Sequence, residues 1–205
     1  MYRPMRSRRS FILAAAGAAA IFAVGARPSQ ASTDLAAFIS EVADRAITAL
    51  SSATATDAAR AAALKPVLEQ YFDMPGIAKH TLGAYWKKAT PEQQQTYIAA
   101  FIDYMSVVYG QRFKEYNGEK LIVKRVRDEG SKGTVFATVD TNDSQAPRVD
   151  WDVRTDGDRP LVTDIRVEGL SLAETHRQEF TSVISQNGGS VDALIALLHK
   201  KATVN

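Results

Sequence analysis

TPEQQQTYIAAFIDYMSVVYGQRFKEY, residues 90–116, is the stretch on which the fold turns. Thr90 is a good N-cap, Pro91 suits the first helical turn, and Gln93 completes a capping box. Apolar residues then recur at helical spacing: Tyr97/Ile98, Phe101/Ile102, Met105, Val108/Tyr109, Phe113 and Tyr116. Asn117-Gly118, a pair tolerant of left-handed backbone, ends the run. The spacing predicts one long helix with a wide, aromatic-rich stripe. Such a helix either packs flat against a sheet, or buries one side and lines a hollow with the other.

On the C-terminal side the period changes from helical to two. Strands are predicted over 121–127, 134–140, 148–154 and 161–167, joined by short turns and a loop at 141–147. In the third strand Val149, Trp151 and Val153 share one face, with charged residues on the other. An antiparallel meander with one buried and one solvated face follows, and Gly169 closes it. Ser171 and Glu174 form a second capping box opening a helix to about 186, and Ser190 caps a last one. On the N-terminal side, residues 33–50 carry Leu35, Phe38/Ile39, Val42, Ala46 and Leu50 on one helical face. A small polar loop spans 51–56. Asp57 is a cap for an Ala-rich helix over 58–64, and Pro66 breaks or restarts it. Asp73 caps a short helix over 74–82 that Gly83 ends. The fold class is α+β: helices packed on a curved four-stranded antiparallel sheet.

The first 31 residues read as a cleavable export signal. Ser7-Arg8-Arg9-Ser10-Phe11-Ile12 resembles a twin-arginine sequence, an uncharged run follows, and Ser29-Gln30-Ala31 offers small residues for cleavage, with Val24-Gly25-Ala26 as the rival site. One domain over 32–205 remains. All five basic residues of the leader are arginines, so the net charge of +2 becomes about −3 without it, 20 basic against 23 acidic residues. That weakens any nucleic-acid reading. The absence of cysteine excludes thiol catalysis, cysteine metal sites and disulfides.

Catalytic signatures are thin. His80, His176 and His199 lack metal-ligand spacing and read as structural or surface residues. No Gly-x-Ser-x-Gly elbow and no phosphate-cradling glycine loop is present. Asp150, Asp152, Asp156 and Asp158, interleaved with Arg148, Arg154 and Arg159, read as a solvated face of mixed charge. Asp103, beside the apolar stripe of the long helix, is the one candidate for a buried acid or base in a pocket enzyme.

Two blocks of sequence carry a resemblance. The first runs Tyr71-Phe72-Asp73-Met74-Pro75-Gly76-Ile77-Ala78, then Leu82-Gly83-Ala84-Tyr85-Trp86, then Ala89-Thr90-Pro91-Glu92-Gln93. The second is Asp164-Ile165-Arg166-Val167-Glu168-Gly169-Leu170-Ser171, followed by Arg177-Gln178-Glu179-Phe180. Together they resemble the MlaC family, the periplasmic lipid-carrier components of a lipid ABC transport system, once called toluene-tolerance proteins. The run Thr90-Pro91-Glu92-Gln93-Gln94-Gln95, Val149-Asp150-Trp151 and Asn187-Gly188-Gly189 are similar in particular to the hopanoid-associated branch, HpnM. Pro160 stands where similar proteins often carry an aromatic residue.

The resemblance implies an apolar pocket for acyl chains, a phospholipid or hopanoid cargo, a monomeric carrier without cofactor or metal, and exchange with an inner-membrane ABC transporter complex and an outer-membrane complex. The physical sense is direct: a sixteen-carbon chain exposed to water costs on the order of 13 kcal/mol, at about 0.8 per methylene. Within that expectation, period and face select Leu82, Tyr85, Trp86, Ile98, Phe101, Ile102, Met105, Val149, Trp151, Val153, Ile165 and Phe180 as lining residues. Arg177 reads as a structural ion pair before a headgroup contact. Two rival functions stay open: a small isomerase-like enzyme for a hydrophobic substrate, which needs Asp103 in the pocket, and a structural envelope protein with no pocket.

Overall fold

The structure, a computed structural model, describes residues 30–52, 56–140 and 146–203. All but the last two residues of the expected export signal, half of the loop expected at 51–56 and most of the loop at 141–147 lie outside these. Among the described residues the order is α1 (Gln30–Ser52), α2 (Asp57–Tyr71), α3 (Met74–Leu82), α4 (Pro91–Arg112), β1 (Lys120–Asp128), β2 (Lys132–Asp140), β3 (Arg148–Arg154), β4 (Leu161–Val167), β5 (Leu170–Ser171), α5 (Leu172–Gln186) and α6 (Val191–Ala202). None of these helices is long and apolar enough to cross a membrane.

The caps sit where the sequence places them. The Thr90 hydroxyl accepts from the Gln93 N–H at 3.2 Å, and Gln93 Oε1 accepts from the Thr90 N–H at 3.0 Å. Asp73 and Ser171 cap α3 and α5 through Gly76 and Glu174 N–H groups, and Ser190 caps α6. α4 stops at Arg112 and tightens into a 3-10 turn, Phe113–Glu115, before Gly118 takes a positive φ of 92°.

Three expectations need correction. α2 runs unbroken through Pro66 and is capped by Thr56, not Asp57. Pro66 removes one hydrogen bond to the previous turn, yet buried Leu64, Val67, Leu68 and Tyr71 anchor the helix on both sides of it. α4 is not one-sided: Tyr97, Ala100, Phe101, Tyr104, Ser106, Val107 and Gly110 are buried around most of its circumference. It lies between α2 and α6, in the middle of the helical layer. At Gly110 a Cβ would meet the Ala61 backbone nitrogen at 3.2 Å, so the small residue permits a close crossing of α2. The sheet has five strands, not four, in the order β1-β2-β3-β4-β5, each pair antiparallel. Glu168 and Gly169 both take positive φ, 50° and 83°, and turn the chain back so that Val167 pairs with Leu170. Two positive-φ residues suit a tight two-residue hairpin. The fifth strand is too short to leave a periodic signal.

Two bulges decide which side chains face inward. In β1 the register slips between Val123 and Arg125, so Val123 and Val126, three apart, both pack on the core face. In β3 and β4 it slips between Asp152 and Val153. The outer face carries mixed charge: Arg166 pairs with Asp152, and the Arg125 guanidinium lies 3.9 Å from the Phe136 ring centroid. It is not uniformly solvated, however, because Asp150 is buried between its register neighbours Phe136 and Arg166, whose larger side chains share that face.

The molecule has two apolar cores, and α1 takes part in both. Its first half, Leu35 and Ile39, packs on Val135, Val153 and Val162 of the sheet. Its second half, Val42 and Leu50, packs on the helical core of Leu82, Tyr97, Phe101, Ile184, Leu194 and Leu198. α3 is tied to the sheet by the Asp73 N–H donating to the Val162 carbonyl at 2.9 Å, and by Arg154 Nε donating to Asp73 Oδ2 at 3.0 Å.

Candidate functional site

The two cores do not merge. At their junction lies an apolar cavity of about 230 Å³. Val42, Ala46 and Leu50, four residues apart on α1, form one wall, and Leu64, Val67 and Leu68 of α2 the next. Phe72 and the α3 residues Met74 and Ile77 close one end. Met105 and Tyr109, one turn apart on α4, face Trp151 of β3 and Ile165 of β4 across the hollow. Leu172, Ala173 and His176 of α5 complete it.

Three polar side chains meet this surface besides the tyrosine. Asp164 Oδ1 accepts from the Ile165 and Ala173 N–H groups at 2.9 and 3.1 Å, so the carboxylate is engaged at the start of α5. His176 is buried. Its Nδ1 lies 3.2 Å from Glu179 Oε2, and its Nε2 lies 3.4 Å from the Tyr109 hydroxyl. Burial holds the imidazole below its ordinary pKa, with Glu179 opposing. Burial also pushes the Tyr109 phenol up to about 12. The indole nitrogen of Trp151 is buried with no hydrogen-bond partner. Both His176 and Tyr109 are thus neutral near pH 7, and the wall around the hollow is mostly apolar, its one carboxylate, Asp164, accepting from backbone N–H groups.

Of the twelve residues expected to line a pocket, Met105, Trp151 and Ile165 do so. Phe101 and Phe180 instead join Tyr97 and Tyr104 in a ring cluster behind His176. Phe180 stacks on that imidazole with centroids 5.5 Å apart, and Phe101 meets Phe180 edge-on at 6.1 Å. Leu82 is fully buried and Ile102 nearly so, both in the helical core, with Ile98 packed on its edge. Val153 belongs to the contact between α1 and the sheet, and Val149 is buried near the start of β3 without reaching the hollow. Tyr85 is pinned near the surface by Ser185 at 3.2 Å, and Trp86 lines a separate shallow hollow beside Arg177. Arg177 Nε pairs with Glu174 at 2.9 Å, a structural ion pair.

Asp103 does not line the cavity. It pairs with Lys65 at 2.6 Å, and its side chain is 40% exposed in a hollow shared with His199. Among the described residues no group of three metal-ligating side chains is gathered. Sequence reasoning missed the α1 and α2 walls and His176. The α1 stripe was visible, but nothing in its period says that its second half faces a hollow. His176 carried a faint signal, its four-residue spacing from Phe180.

The sequence model described as MlaC protein matches residues 40–200. The toluene tolerance protein ttg2D of Pseudomonas putida is 28% identical over 135 residues, which is 65% of this chain and 63% of that protein. The chain thus aligns with less than two thirds of that relative's length. A phospholipid-binding protein from Ralstonia solanacearum, solved in complex with a phospholipid, superposes with a TM-score of 0.69 at 23% identity, covering 81% of this chain and 95% of that one. That likeness establishes a shared fold.

Proposed function

The chain belongs to the MlaC family, and from that premise we propose that it is a lipid carrier of the cell envelope, taking up acyl chains in the junction cavity. The observation that carries the reading is the cavity itself: it lies between two packed cores and is lined by mostly apolar side chains from five helices and the sheet. A hollow of this kind lowers stability relative to a filled core. Hydrocarbon entering it leaves water at about 0.8 kcal/mol gained per methylene. The Pseudomonas relative's name and the phospholipid in the Ralstonia structure point the same way.

In this reading residues 1–31 are an export signal and 32–205 the mature carrier, acting as a periplasmic monomer. It passes its cargo, a phospholipid or a hopanoid-type lipid, between an outer-membrane complex and an inner-membrane ABC transporter. Met105, Trp151 and Ile165 touch the chain. The unpartnered Trp151 indole N–H offers one donor to an ester carbonyl or hydroxyl. Of the other nine residues first expected to line the pocket, Leu82, Ile98, Phe101, Ile102 and Phe180 belong to the helical core beside it. No step in this cycle needs a bond made or broken.

Native mass spectrometry of the chain purified from its own envelope tests the proposal. A carrier arrives with lipid whose mass identifies the class, phospholipid or hopanoid. Protein that is monodisperse, folded and lipid-free after mild extraction, and that takes up none from vesicles, would sink it. A pocket enzyme would have to work through His176 rather than Asp103. His176→Gln separates the readings, because a carrier keeps its lipid when that nitrogen chemistry is removed.

A further inference from the structure

The cavity is small for its proposed cargo. A dry apolar cavity of about 150 Å³ holds one benzene, so 230 Å³ takes a stretch on the order of ten carbons. Two-chain lipids carry far more. Beyond Tyr109 lies a second apolar space, an open groove of about 410 Å³. Ile47 of α1, Phe113 and Tyr116 after α4, Leu121 of β1 and Val139 of β2 line it. Tyr109 belongs to both walls. Its ring is a partition between the two spaces, held on one side by His176 at 3.4 Å and covered on the other by the Arg112 guanidinium, 5.4 Å from the centroid.

Arg112 is exposed at the rim of the groove, and among the described side chains no carboxylate pairs with it. The nearby charges are otherwise committed. Lys114 bonds to Asp57 at 2.8 Å, and Glu119, on the same rim, accepts from the Asn117 N–H at 2.7 Å. A planar guanidinium at the mouth of an apolar groove suits a phosphate oxygen pair.

We propose that this groove is a second lipid subsite. It seats the second acyl chain of a phosphate-bearing two-chain lipid whose first chain occupies the inner cavity, with Tyr109 between the chains and Arg112 on the phosphate. The proposal rests on the carrier reading and adds where the cargo's remaining hydrocarbon and its charge are held. The groove is not needed for a single chain buried in the cavity.

The full chain, stripped of lipid, is incubated with phosphatidylglycerol vesicles or with single-chain lysophosphatidylglycerol, and bound lipid is measured after gel filtration. Leu121→Asp places a charge in the groove floor; Arg112→Gln, at an exposed position, removes the cation without threatening the fold. Both variants are expected to hold phosphatidylglycerol about tenfold less tightly; lysophosphatidylglycerol binding stays within about twofold in Leu121→Asp but falls in Arg112→Gln, because that lipid carries the same phosphate. Diacylglycerol, which lacks phosphate, should be insensitive to Arg112→Gln and sensitive to Leu121→Asp. Wild-type retention of phosphatidylglycerol by both variants overturns the groove and leaves the carrier standing. Equal loss of one-chain and two-chain lipid in folded Leu121→Asp also overturns it, since the groove is then no separate subsite. A wild-type chain that binds neither lipid overturns groove and carrier together.

Discussion

The ring cluster behind His176 and the cavity in front of it share that histidine, yet the cluster of tyrosines and phenylalanines is filled and the mostly aliphatic cavity is hollow. In the cluster, Tyr97, Phe101 and Tyr104 of α4 each meet Phe180 of α5 edge-on at centroid distances of 6.0 to 6.4 Å, and Tyr97 stacks on Phe101 at 6.0 Å. In front of His176 the wall is assembled from α1, α2, α3, α4, α5 and two strands that converge without meeting. α1 has to lie on the sheet with one half and on the helices with the other. The hollow therefore reflects the geometry of a junction, with small residues such as Ala46 and Ala173 in its wall.

That contrast can be broken by truncation. Phe101→Ala and Phe180→Ala remove buried rings from a filled region and should each cost about 3–5 kcal/mol in urea unfolding. Met105→Ala removes a side chain that already faces open space and so has fewer neighbours to lose. It should cost about 2 kcal/mol, the low end for such changes. Equal losses at the three positions would mean that cluster and cavity are packed alike.

His176 sits on the boundary and sharpens the comparison through pH. Its folded pKa lies below the ordinary value of 6.5 because of burial. Below that ordinary value the unfolded chain binds a proton that the folded chain resists, so stability falls as pH drops and is flat above it. Wild-type protein should lose urea stability between about pH 7.5 and about pH 5.5, and His176→Gln should lose less over the same interval. An unchanged pH dependence would place the acid sensitivity elsewhere.

The smallest effect is expected outside both regions. The Lys65–Asp103 pair is about 40% exposed on each side. Asp103→Asn should change stability by no more than about 1 kcal/mol and leave bound lipid unchanged by mass spectrometry. A loss of lipid there would tie that face to the cavity.

Local order was legible in the sequence wherever a residue acts on its own neighbours. The caps at Thr90, Asp73, Ser171 and Ser190 and the bounds of β3 and β4 follow from side chains satisfying nearby backbone groups and from a period of two. What was not legible depends on distant partners. Pro66 stays helical because buried residues flank it, and Lys124 bulges because Val123 and Val126 both find the core. The site was read least well for the same reason. A helical stripe says that Phe101 and Phe180 are inside, but not whether they face a neighbour or a hollow. Val42, Ala46 and Leu50 were visible as an apolar stripe, and only the crossing of α1 over both cores turns them into a cavity wall.

The most direct test fills the hollow without touching the cluster. Ala46, half-buried on the α1 wall, is replaced by Trp, and the lipid content of wild type and Ala46→Trp, each purified from its native envelope, is compared by mass spectrometry, with circular dichroism as a check on folding. The junction account predicts that the folded variant carries about tenfold less lipid than wild type. Equal lipid content in the two proteins would contradict it, because acyl chains would then be held somewhere other than the space between the two cores.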